Sequence, residues 1–445
     1  LKDQTEKNFK GGSHLYYDGF KQEDQPFVNS ECGNVWGYKG STGDIDWSYD
    51  YHRMINSFRK FPEVAGWLYT EHHDVINEWN GYWKFDRSEK KTGLDEILEG
   101  MTLNDFHAPV YLSTGVEICQ TVNGGEKIDV PLFISSFTSD DYGEEIIVEY
   151  ELSHTNYIAE EKLIKSDNFR IKYYPWMQKS ITPLELSIPN HSGLSKLTFK
   201  LKTLDNKILH RNFMHFEVNS NEKLKNVEVV SLPANEFSNS DWTKKRWNVL
   251  NGKKVNGAGS GFFEYEIQIP AKYKTLSFKE AYFIIEASAK KLFDKDKIGE
   301  DYVDAGMDWM RGSIVSPSKN PNSYPMTDEV LFQSRIKISV NGKPKKRMTL
   351  LDDPADHRGV LSWHNQIISP YKSTDDDFWS NQPKLNEAGS YGYLIKVPIS
   401  NDELKSYLKE GNMTIRIETE GDGGIAIYGK SFGRYPINPS LVIKK

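Results

Sequence analysis

The chain has 445 residues, which at roughly 150 residues per domain predicts about three domains. A formal net charge of −7 argues against nucleic acid or an anionic membrane surface as the main ligand, because phosphate binding needs a basic face. Mean hydropathy is −0.63, no apolar run reaches the ~18 residues of a membrane span, and two cysteines, Cys32 and Cys119, exclude a disulfide scaffold and a multi-Cys zinc ribbon.

Leu1–Glu6 has neither a basic n-region nor an apolar h-region, so no signal peptide is expected there. The expectation is a chain that starts partway through a longer protein. The first hundred residues then read as α/β. Pro26–Glu31 is a short strand ending at a carboxylate, followed by a loop with Gly33, Gly37, Gly40 and Gly43. From Asp46 to Lys60 the spacing is helical, with Tyr51, Met54, Ile55 and Phe58 on one face and Pro62 as the stop. Val64–Thr70 is near-continuously apolar, as a parallel strand buried on both faces would be. Strand, loop, helix, strand at this spacing is a βαβ unit. A polar loop, Glu71–Lys91, and a helical stretch near Leu94–Leu98 complete it.

From about Leu103 the pattern becomes all-β. Strands are predicted at Val116–Gln120, Lys127–Ser135, Glu145–Leu152, Leu184–Ile188, Ser195–Thr203 and Leu209–Val218. Their number and spacing suit an immunoglobulin-like β-sandwich. Asn219–Glu222 reads as a linker, and the remainder as a jelly-roll-like β-sandwich with a long charged insertion, Phe293–Asp328. Gly257–Gly261 precedes a strand and reads as a hairpin or edge loop, not a nucleotide site. The predicted domains are 1–102, 103–222 and 223–445.

Ligand sites in parallel α/β units lie beyond the carboxyl ends of the strands. Two such ends are present: Asn29-Ser30-Glu31-Cys32-Gly33 and Trp67-Leu68-Tyr69-Thr70-Glu71-His72-His73-Asp74. A carboxylate beside clustered aromatics suits sugar chemistry, since the carboxylate can attack an anomeric carbon while aromatic faces stack on a pyranose. Pro26–Gly33 resembles the Ser-Glu-(aromatic)-Gly nucleophile strand of glycoside hydrolase family 2, with Cys32 in place of the more frequent aromatic. Ala65–Thr70, with Asp74 and Phe85–Lys90 downstream, resembles the last barrel strand of the same family and its exit.

That resemblance implies a C-terminal fragment of a (β/α)8 barrel over 1–102, followed by the two sandwiches. It implies Glu31 as the nucleophile of a retaining glycosidase. Tyr69 would floor the sugar subsite, Glu71 would lie on its rim, and Trp36, Tyr38 and Trp47 would line it. In the family the acid/base is a Glu after an Asn, upstream of the nucleophile. Here Asn77-Glu78 and Asn386-Glu387 both follow Glu31, so the acid/base is expected in a preceding part, the first partner of this chain, and the chain alone is expected to be inactive. The Asn-x-Lys pair of family glucuronidases is not matched by Asn80-Gly81-Tyr82-Trp83-Lys84, which favours a β-galactosidase-like substrate.

No cofactor is expected. Adjacent histidines in a strand face opposite ways, so His72 and His73 are not expected to share a metal. Asp-rich loops at Asp294–Asp296 and Asp375–Asp377 leave only a structural Ca²⁺ open. The remaining expectations are a carbohydrate substrate, no nucleic acid, no membrane span, a homo-oligomer left open, and a periplasmic or secreted location. The competing reading is a non-catalytic carbohydrate-binding or adhesion protein, with Trp309, Trp363 and Trp379 as sugar platforms.

Overall fold

The computed structural model describes residues 24–32, 48–73, 81–84, 86–90, 92–249, 252–275, 278–290, 292, 333–350, 360–361, 364 and 392–445. The described chain is mainly β, arranged in several sheets.

The first unit holds strand β1 (Phe27–Cys32), helix α1 (Ser48–Phe58) and strand β2 (Val64–Tyr69). β1 and β2 pair in parallel, as the alternation of apolar runs and helix predicts, but the expected burial on both faces does not hold, since Val28 and Leu68 are exposed on strands that pair only with each other among the described residues. α1 buries Tyr51, Ile55 and Phe58, with Met54 partly buried, so the expected apolar face is the packed one. That face does not stay within the unit. Its core also contains Tyr111, Ile118, Cys119, Leu194 and Phe213, which belong to the next segment.

Next comes a sandwich of two sheets. One has three strands, β3 (Val110–Ser113), β5 (Lys127–Ser136) and β8 (Gln178–Ser187), in the order β3-β5-β8. The other has five, β4 (Cys119–Asn123), β6 (Glu145–Asn156), β7 (Glu161–Lys172), β9 (Gly193–Lys202) and β10 (Ile208–Asn219), in the order β4-β10-β9-β6-β7. Their inner faces meet in one core that includes Leu132, Ile134, Val148, Leu197, Phe199 and Phe216. β7 escaped the sequence reading for a physical reason. It is an edge strand, nearly all exposed, and its Lys-rich sequence lacks the period-2 apolar signal.

The last unit pairs a seven-stranded with a five-stranded sheet. The larger contains β11 (Val227–Ser231), β13 (Lys245–Val249), β14 (Lys254–Gly259), β16 (Glu280–Ala289), β19 (Tyr393–Ile399), β21 (Gly423–Tyr428) and β22 (Ser440–Lys444). The smaller contains β12 (Asn239–Trp242), β15 (Gly261–Gln268), β17 (Ser334–Val340), β18 (Lys343–Leu350) and β20 (Asn412–Thr419). Their shared core runs through Phe263, Tyr265, Phe283, Ile285, Ile338 and Ile427. The segment read as a loop at Gly257–Gly261 is instead the buried end of β14 and the start of β15. The glycine there has a packing reason: a Cβ on Gly257 would sit 2.0 Å from the Trp242 ring.

Candidate active site

The candidate site is the shared carboxyl-terminal edge of β1 and β2. Asn29 pairs with Trp67 and Cys32 with Tyr69, so three steps along β1 match two along β2. The extra residue makes a bulge at Ser30-Glu31, a device that re-aims a side chain at a strand end. The Thr70 N–H donates to the Cys32 carbonyl at 2.7 Å and ties the two ends together. Glu31 is exposed, and its backbone N–H donates to Asn29 Oδ1 at 3.1 Å. Cys32 turns inward, with Sγ 3.4 Å from the Leu68 carbonyl. Burial pushes its thiol up to about 11, so it is neutral near pH 7 and a poor nucleophile. The solvent-facing carboxylate at this edge of β1 is therefore Glu31.

Behind the edge lies an aromatic cluster. The Tyr69 ring centroid is 4.5 Å from Tyr51 and 4.6 Å from Tyr82. Tyr82 Oη donates to Tyr51 Oη at 2.6 Å and lies 2.5 Å from His107 Nε2, which is 3.2 Å from Tyr51 Oη. Burial raises both phenols above their ordinary range, and burial together with nearby Arg59 lowers His107. All three groups are thus neutral near pH 7 and offer hydrogen bonds rather than charge.

Arg59, 2% exposed, holds this unit against the sandwich. Its Nη2 donates to the carbonyls of Ala108 (2.6 Å) and Pro109 (3.0 Å), and its guanidinium lies 4.1 Å from the Phe137 ring centroid. Burial lowers it to about 9.

Of the residues singled out from sequence, Glu31, Tyr69 and Glu71 lie at the ends of the two paired strands, with Glu31 exposed and the Tyr69 ring turned to Tyr51 and Tyr82. Glu71 is half-buried just beyond β2. Tyr69 is more a wall of the aromatic cluster than an open platform. Trp36, Tyr38 and Trp47 lie outside the described residues, as do Gly33–Gly43, Asp74, Asn77-Glu78, Asp294–Asp296, Trp309, Phe293–Asp328, Trp363, Asp375–Asp377, Trp379 and Asn386-Glu387. The opposite-face argument for His72 and His73 does not apply, because both lie past the end of β2. Their Nδ1 atoms are 3.4 Å apart. Among the described residues, no three His, Cys, Asp or Glu side chains gather into a metal site.

Sequence reasoning missed Tyr82 and His107. Tyr82 stands within Asn80–Lys84, a polar-loop segment with no catalytic spacing of its own. His107 sits in a short 3-10 turn, Leu103–His107, whose sequence signal is the Thr102/Asp105 capping box rather than any catalytic pattern.

No protein-family model matches the chain, and no curated protein matches it. Among solved structures, a β-glucuronidase from Bacteroides uniformis aligns over 91% of this chain and 41% of its own, at 10% identity and a TM-score of 0.20. A calcium-binding mutant of Bacteroides uniformis β-glucuronidase 2 aligns over the same shares at 11% identity and a TM-score of 0.20. A DNA-bound alkylpurine DNA glycosylase from Pseudomonas fluorescens aligns over 25% of this chain and 31% of its own, at 16% identity and a TM-score of 0.19. The chain spans about two fifths of the length of the β-glucuronidases. At these TM-scores the likenesses name neighbours and not a family.

Proposed function

We propose that this chain is the C-terminal portion of a retaining glycoside hydrolase of the family 2 type, acting on a β-galactoside-like sugar, with Glu31 as nucleophile. The observation that carries the reading is the exposed Glu31 carboxylate on a bulge at the end of β1, level with Tyr69 on the parallel neighbour β2. Among the described residues, β1 and β2 pair only with each other. Parallel strands are ordinarily flanked on both sides, so the outer flanks suit further barrel strands supplied by a preceding part. In this reading 1–102 closes the barrel, 103–222 is the immunoglobulin-like sandwich and 223–445 the jelly-roll-like one. The enzyme is periplasmic or secreted.

The Glu31 carboxylate would attack the anomeric carbon, forming a glycosyl ester as the bond to the leaving oxygen breaks. A carboxylic acid from the preceding part would give that oxygen its proton, then take one from the water that hydrolyses the ester. Tyr69, Glu71 and the Tyr82 hydroxyl would border the sugar, with Trp36, Tyr38 and Trp47 assigned to the same subsite.

The test uses the complete reading frame containing this chain, with aryl β-galactoside and aryl β-glucuronide as substrates. Glu31→Gln should lower turnover by about a thousandfold or more without changing thermal stability, because Glu31 is exposed. Turnover at the unsubstituted rate in that variant would refute the assignment. The 445-residue chain alone should not turn over either substrate.

A further inference from the structure

The outer face of the five-stranded sheet carries opposite charges set side by side. Ile336, Ile338, Ile415 and Ile417 belong to the apolar core, so the residues between them on β17 and β20 point outward. Most cations on this face are matched across the strands. Lys337 pairs with Glu418, Arg347 Nε lies 2.8 Å from Glu420 Oε1, and Arg416 reaches Glu264 (3.6 Å) and Glu418 (3.2 Å). Arg335, at the start of β17, is the exception. It is exposed, and its guanidinium has no ion-pair or hydrogen-bond partner among the described residues.

Arg335 lines a cavity of about 320 Å³, bounded by Gln333 and by the turn between β20 and β21, Glu420 to Gly423. That turn is pinned on three sides. The Glu420 N–H donates to the Arg335 carbonyl (2.7 Å), Ser260 Oγ donates to the Gly421 carbonyl (2.9 Å), and the Gly424 N–H donates to the buried Ser334 Oγ (2.9 Å). A wall fixed in this way is in place before a ligand arrives, which lowers the ordering cost of binding. Its two carboxylates are already matched, Glu420 by Arg347 and Asp422 by Lys244 Nζ at 2.9 Å. The unmatched charge at the cavity is therefore the positive one of Arg335. The volume lies at the small end of the roughly 300–1,000 Å³ of ligand pockets and suits one hydroxylated ring, not a long chain.

We infer that this cavity binds a single uronic acid residue, with Arg335 holding its carboxylate. A guanidinium meets a carboxylate with two parallel N–H donors, a match that a neutral sugar cannot supply. The hydroxyls of the same ring have partners on the walls. The Gln333 carboxamide offers a donor and an acceptor, while Glu420 and Asp422 each use one oxygen in their ion pair and keep the other as an acceptor. A simple anion would engage Arg335 alone and face those two carboxylates with no hydroxyl to donate to them. The site lies on the last unit, on different elements from the β1–β2 edge, and does not depend on the role of Glu31.

Saturation-transfer NMR titrations of the 445-residue chain test this. The probes are sodium glucuronate and sodium galacturonate, with glucose and galactose as neutral controls and sodium acetate as a small anion. At least one uronate should bind saturably, about tenfold or more tighter than its neutral counterpart and than acetate. Arg335→Gln should weaken that binding about tenfold or more, the equivalent of about 1.4 kcal/mol, and leave thermal melting unchanged because Arg335 is exposed. Arg335→Lys keeps the charge without the planar fork and should restore only part of the affinity. The site is overturned if neither uronate binds, if a neutral sugar or acetate binds as tightly, or if Arg335→Gln keeps the affinity. Glu31→Gln should leave uronate binding intact, which separates this result from the nucleophile assignment. Loss of uronate binding in Glu31→Gln would place the ligand at the β1–β2 edge and also overturn the site.

Discussion

Glu286 makes the stability of the last unit fall as pH rises, against the usual behaviour of carboxylates. Its side chain is fully buried, and burial pushes the carboxyl up to about 8 despite three backbone N–H donors and nearby Arg434. A free glutamate releases its proton near 4.5. Between those values the unfolded chain has lost the proton and the folded chain keeps it. The folded state then binds more protons, so stability is full below about 4.5 and is lost as pH rises towards about 8. The slope is about 1.4 kcal/mol per pH unit, or about 3 kcal/mol from about pH 5 to about pH 7.5. Glu286→Gln removes the titration. It also turns an NH₂ towards one backbone donor, a pH-independent cost of about 1–3 kcal/mol. The variant should therefore start less stable at acid pH and close the gap as pH rises. Scanning calorimetry of both proteins reads this as a relative shift of about 6–12 °C in the melting of this unit across that window. Taking the difference between the two proteins cancels the other titrating groups. Parallel pH profiles would refute the reasoning. The site also explains a glycine: a Cβ on Gly433 would lie 2.3 Å from Glu286 Oε2.

Two further substitutions probe how the first unit is held. Asn212 accepts from His52 Nε2 at 2.5 Å and donates to Asn56 Oδ1 (3.0 Å) and Leu112 O (2.6 Å), all buried. Because burial lowers His52 to about 4, the ring is neutral and loses its acceptor in Asn212→Ala, which should cost about 3 kcal/mol in chemical denaturation. An unchanged midpoint and slope would show that the network contributes nothing. Arg59→Met keeps much of the stem but leaves the Ala108 and Pro109 carbonyls without their guanidinium, at a cost of about 2 kcal/mol. Limited proteolysis should then cut sooner between Phe27 and Leu98, and an unchanged cleavage rate would refute that anchoring role.

The βαβ character of the first unit was legible because near-continuous apolar runs and an amphipathic helix leave different apolar periods in the chain, although those runs leave Val28 and Leu68 exposed. The polar, exposed β7 left no such trace. Likewise, the glycines of Gly257–Gly261 signalled a turn locally, whereas Trp242 makes them a packing solution in space.

The sequence by itself determined the β-rich architecture, the strand end carrying Glu31 and the adjoining Tyr69–Glu71. Those features depend on local period and on residues close together in the chain. Tertiary structure alone decided that Tyr51, Tyr82 and His107 close one hydrogen-bonded cluster, and that Arg335 stands at a cavity beside the turn from Glu420 to Gly423. The first cluster joins a helix, a loop and a 3-10 turn, and the second depends on strand register. Both rest on contacts whose partners leave no shared local pattern in the chain.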